Sequence, residues 1–80
     1  MNLVETDSSG KRFVDVPTLS GEHARITFVP GEQAGYGVDC IRFQIRDATG
    51  HLRQGPELPV STLSEVSVAV ISLLEERIGG

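Results

Sequence analysis

Polar and apolar side chains alternate most cleanly over residues 38–46. Ile41, Phe43 and Ile45 share one parity, and Cys40, Arg42, Gln44 and Arg46 share the other. A period of two over that length predicts a strand with one face buried. His23–Val29 repeats the pattern, with Ala24, Ile26 and Phe28 set against Arg25, Thr27 and Val29. Residues 11–16 alternate well enough for an earlier strand, which Pro17 closes. A fourth strand is predicted to open at residues 51–54 and to break at Gly55-Pro56, with Leu58-Pro59-Val60 leading onward. Asp7-Ser-Ser-Gly10, Ser20-Gly21, the long loop over 30–37 and Asp47-Ala-Thr-Gly50 supply the turns. Residues 1–10 are expected as a frayed lead-in or a short edge strand.

The period changes after Ser61. Over residues 61–78, Leu63, Val66, Ala69, Val70, Ile71, Leu73, Leu74 and Ile78 sweep an arc of roughly 200° on a helical wheel. Thr62 followed by Glu65 fits a capping box, Arg77 suits the C-terminal pole, and Gly79 with Gly80 is expected to stop the helix. Val66, Val68 and Val70 also alternate as a strand would, but the length and the Leu73-Leu74-Glu75-Glu76-Arg77 ending favour a helix. The predicted fold is α+β: a four-stranded antiparallel meander followed by one helix, ββββα, in a single domain over residues 1–80. An ordinary surface helix needs an apolar stripe of only about 100°. The excess predicts a helix packed on its own sheet by one flank and on a second copy by the other. Leu63, Val66, Val70, Leu73 and Leu74 are the expected dimer interface.

Composition sharpens this. The chain has 80 residues with no Trp, one Tyr and three Phe, so its core must be mostly aliphatic. One Cys excludes an intramolecular disulfide and leaves no cysteine-built metal site. Small domains without staples often oligomerise, which agrees with the over-wide helix. The net charge of −4 argues against nucleic acid and anionic membranes as obvious partners. No signal peptide or membrane-length apolar run is evident, so a soluble cytoplasmic protein is expected.

Candidate chemistry is sparse. Cys40 and His51 are the only pair that suggests a thiol nucleophile with its base, and a strand separation of about 20 Å puts them out of catalytic reach. His23 and His51 lack zinc-site spacing. Gly31, Gly35 and Gly37 have no Gly-Lys-Ser/Thr and no following helix to hold a phosphate. No catalytic residue, metal or cofactor is expected. If Ile41, Phe43, Ile45 and Leu52 face the helix, then Arg42, Gln44, Arg46 and Arg53, with Arg25, form a cationic outer face, the acid lying on helix and loops. Tyr36, between two glycines on a loop, is a further candidate contact.

The segment over 45–74 resembles the C-terminal part of the single-stranded-DNA-binding transcriptional coactivator (positive cofactor) family. The motif is Asp47-x-x-Gly50-x-Leu52-Arg53-x-Gly55, then Leu58-Pro59-Val60, then an apolar helix. The resemblance implies a curved four-stranded sheet with a following helix through which two chains pair. Pro56-Glu57 stand where that family carries a basic residue and a glycine. Scarce sheet aromatics remove much of the stacking on which single-strand affinity rests. The function expected from the whole reading is a non-enzymatic, self-associating protein-interaction module with an unidentified protein partner. The alternative is a single-stranded nucleic-acid-binding protein that uses the Arg face.

Overall fold

Five strands pair in chain order in one antiparallel sheet, and a helix follows them. The computed structural model describes residues 3–79. Met1, Asn2 and Gly80 lie outside the described residues, and with them the start of the expected lead-in and one of the two stop glycines. The strands are β1 (Glu5–Thr6), β2 (Arg12–Pro17), β3 (His23–Val29), β4 (Cys40–Arg46) and β5 (Leu52–Pro59); the helix is α1 (Val60–Gly79). The class is α+β, as expected, but with five strands rather than four. The additional one is β1, the short edge strand that pairs Glu5 with Phe13 and Thr6 with Arg12.

Two of the turns are duplicates of each other. In Asp7-Ser-Ser-Gly10-Lys11, Asp7 Oδ1 accepts hydrogen bonds from Ser9 N at 2.9 Å, Ser9 Oγ at 2.7 Å and Lys11 N at 2.9 Å. In Asp47-Ala-Thr-Gly50-His51, Asp47 Oδ1 accepts from Thr49 N at 3.0 Å, Thr49 Oγ1 at 2.6 Å and His51 N at 3.0 Å. Gly10 and Gly50 take φ of +87° and +86°, the left-handed position a three-residue hairpin loop needs. These bonds hold both carboxyls below the usual carboxylate range, the side-chain hydroxyl bond contributing most.

That geometry sets the register of β5, and it corrects the expected face assignment. Asp47 and His51 close the second turn, so Arg46 pairs with Leu52 and Ile45 with Arg53. Residues directly opposite in a sheet share a face, and a displacement of one residue exchanges the two faces. Leu52 therefore lies with Arg46, and Arg53 lies with Ile45. Further along, β5 is not broken at Gly55-Pro56. Arg42 pairs with Glu57 and Gln44 with Gln54, so Phe43 alone opposes Gly55 and Pro56 in a bulge that the strand passes through. Gly55 is obligatory here, because a Cβ would collide with the Phe43 carbonyl oxygen.

The two faces differ sharply. One carries Val14, Val16, Ala24, Ile26, Phe28, Ile41, Phe43, Ile45 and Leu58, and each of these is half-buried, none fully. The other is mostly polar. Among the described residues, the five buried side chains, Phe13, Thr27, Val29, Cys40 and Gln44, all belong to it. Among the described residues, shallow grooves open on the apolar face. One of about 180 Å³ lies among Val4, Val14, Ile26, Phe28 and Ile41, and one of about 240 Å³ among Ala24, Phe43, Ile45, Gly55 and Pro56. No helix residue lines either groove.

Helix α1 leaves the sheet rather than returning across it. Its start is fixed by Val60 N donating to Asp39 O at 2.9 Å, two residues ahead of Thr62, so Thr62 sits inside the first turn and not at a cap. Thr62, Leu63 and Val66 are half-buried, and β5 is the strand the helix chiefly meets. Beyond them Val68, Val70, Ile71, Leu73, Leu74 and Ile78 are all exposed, Leu73 at 69% and Ile78 at 84%. The expected flank against its own sheet is thus confined to the first turns. The radius of gyration is 14.3 Å, against about 11.6 Å for a compact chain of this length.

Candidate interaction surfaces

The polar face is built from ion pairs laid across neighbouring strands. Asp15 and Arg25 are direct partners on β2 and β3. Arg25 Nε and Nη2 donate to the two carboxylate oxygens at 2.9 Å each, a forked pair. The guanidinium also lies 4.0 Å from the centroid of the Phe13 ring and so covers it. The hydrogen bonds from Arg25 hold the Asp15 carboxyl below its ordinary value, and Asp15 raises Arg25 in return. In the same row Gln44 Nε2 donates to Gln54 Oε1 at 3.0 Å, and in the next Arg42 Nε donates to Glu57 Oε1 at 3.1 Å. Long side chains cover the strands with their stems while their polar ends pair, which is how a polar face comes to hold the buried residues.

Each expected ligand residue can now be placed. Arg25, Arg42, Gln44 and Arg46 share the polar face. Arg53 does not: it stands at the rim of the apolar face, where Nη2 meets Glu22 Oε2 at 3.3 Å. The acid expected on helix and loops is partly on this face as well, as Asp15 and Glu57. Neither was read from the sequence as a partner of an arginine, because the pairing depends on which residues lie opposite each other across strands. Arg46 differs from the other two arginines. Its Nη1 donates to Gly50 O at 3.3 Å, but its Nε is enclosed and has no hydrogen-bond partner among the described residues. His23 lies directly opposite Arg46.

Tyr36 is exposed on the loop over 30–39. That loop is fastened at two points: Gly31 N donates to Asp39 Oδ1 at 2.8 Å, and Gly35 N donates to Glu57 Oε2 at 3.3 Å. Glu57 therefore ties the Tyr36 loop to Arg42, and the tyrosine stands beside the polar face.

Cys40 pairs with Pro59, whereas His51 closes the turn at the opposite end of β4. The thiol is fully buried, donates to Val38 O at 3.2 Å, and is pushed up by burial first and by Glu57 and Asp39 second. Such a thiol is a poor nucleophile. Among the described residues, no three His, Cys, Asp or Glu side chains gather as a metal site requires. Among the described residues, no helix is long and apolar enough to cross a membrane.

Of the five expected interface residues, Val70, Leu73 and Leu74 are exposed while Leu63 and Val66 are half-buried against the start of the helix's own sheet. No family model, curated protein or solved structure matches the chain. What the molecule can do rests on its own surfaces: an open apolar sheet face, a bare helix, and a face of paired charges.

Proposed function

We propose that the chain is a non-enzymatic, self-associating domain that works as a protein-interaction module. Two copies join through α1, and the paired-charge face, with the Tyr36 loop beside it, stays outward for a protein partner. The observation that carries this is the apolar flank of α1, where Val70, Leu73 and Leu74 stand exposed on a folded chain. Apolar patches of that kind mark association surfaces on soluble proteins. A protein partner suits the outward face better than a phosphate chain does, because Arg25 and Arg42 already carry carboxylates. Light scattering is expected to give twice the chain mass for the wild type and the single-chain mass for Leu73→Asp. A wild-type protein of single-chain mass would refute self-association.

A second reading has its own support. Among the described residues, Arg46 is the arginine of the polar face that no carboxylate holds: its Nη1 donates to Gly50 O, and its charge stays available to a phosphate. Single-stranded nucleic-acid binding is also the activity of the family that residues 45–74 resemble; the face itself, Arg25, Arg42 and Arg46 without Arg53, comes from the strand register. Its test is an oligonucleotide titration. Affinity that falls steeply with salt supports it, since each phosphate contact releases counterions; a flat titration at low salt rejects it.

A further inference from the structure

We propose that the apolar sheet face of each chain is covered by helix α1 of a second copy, so that the helices are exchanged rather than merely paired with each other. This rests on the self-association proposed above and assigns the surface that the helix meets. The chain exposes two unpartnered apolar surfaces of matching chemistry. One is the sheet face centred on Val14, Ile26 and Phe43, which are direct neighbours across β2, β3 and β4. The other is the flank of α1 beyond Val66. They do not meet within one chain: neither groove on the sheet face is lined by a helix residue.

Area supports a second copy as the occupant. The chain exposes 5866 Å², whereas a compact monomer of its mass exposes about 4,700 Å². The excess of about 1,200 Å² per chain, removed on both partners, is a burial of about 2,400 Å², within the range of obligate homodimers. Length agrees. The twelve residues of α1 over 67–78 extend about 18 Å, enough to cross β2 to β5, whose axes span about 14 Å at normal strand spacing. Charge agrees as well. Arg12 stands at the rim of the apolar face, Arg53 beside it is shared with Glu22, and the outer part of the helix is net acidic, with Glu75 and Glu76 against Arg77.

Exchange makes a prediction that simple helix pairing does not: a sheet residue of one chain lies beside a helix residue of the other. Ile26→Cys chains and Val70→Cys chains, one of them enlarged by a tag, are mixed after denaturation and refolding and treated with a short bis-maleimide. The buried Cys40 is left in place, and wild-type chains serve as the control. The expected product is a covalent dimer containing one chain of each size, and the Ile26→Cys/Val70→Cys double variant should give linked dimers too. A link formed within single chains of the double variant would place the helix on its own sheet and overturn the proposal. Val70→Cys chains linking only to each other would overturn it while leaving self-association standing. A single-chain mass with no intermolecular link would overturn both.

Discussion

The two faces of the sheet invert the usual arrangement. The face rich in Arg, Gln, Asp and Glu holds every buried side chain among the described residues, and the face rich in Ile, Val and Phe holds none. The polar face is complete in one chain because its long side chains find partners on the next strand. Asp15 takes Arg25, Glu57 takes Arg42, and Gln54 takes Gln44. The apolar face has no such recourse, since aliphatic side chains gain from removal from water and their neighbours on one surface leave them only half-buried. A sheet of this kind is a half-structure: self-sufficient on one side and dependent on a covering layer on the other.

The sharpest way to break the contrast is to make the apolar face polar. Phe43→Asp places a charge at the centre of the face and should cost about 3 kcal/mol or more if that face is covered. If the face is bare in solution, chemical denaturation will show almost no loss. Gly55→Ala comes next. Its Cβ has no room beside the Phe43 carbonyl, so the bulge must open, at a cost of about 2 kcal/mol measurable in the same way. Unchanged stability would mean the bulge is not fixed where the register puts it.

The polar face should respond more weakly. Arg25→Ala removes the forked pair with Asp15 and uncovers Phe13. Partial solvent screening limits the loss to about 1 kcal/mol, with the oligomeric mass unchanged. A change of mass would show that this face, too, belongs to the interface. The smallest effect is that of pH. Asp7, Asp15 and Asp47 are all held below the ordinary aspartate value in the folded chain by the hydrogen bonds they accept. Their contribution is therefore complete above that value and is lost as pH falls through the lower folded values. Stability should decline below about pH 4, and Asp15→Asn should make that decline shallower. An identical acid profile in the variant would dissociate Asp15 from the effect.

Much of the sheet could be read from alternation alone. His23–Val29 has the bounds its pattern predicts, and β4 differs from its predicted span only in starting at Cys40. The β5 faces could not be read that way, because they hang on whether the turn after Arg46 closes at Asp47–His51 or one position away. A single residue there moves Arg53 off the polar face and Leu52 onto it. The ion pairs were hidden for the same reason, since Asp15 and Arg25 become neighbours only once the register is known. The helix was legible in its length and its excess of apolar surface. Its departure from its own sheet was not, because an amphipathic pattern states what must be covered and does not name the cover.

The central claim is that a second copy completes the apolar side of the molecule. Equilibrium unfolding measured over a wide range of protein concentration, with the mass recorded by light scattering at each, tests it most directly. The account predicts a native mass of twice the 8.6 kDa chain and an unfolding midpoint that rises with concentration, folding and association being coupled. A cooperative transition of a single chain, with a midpoint that concentration does not move, would contradict it.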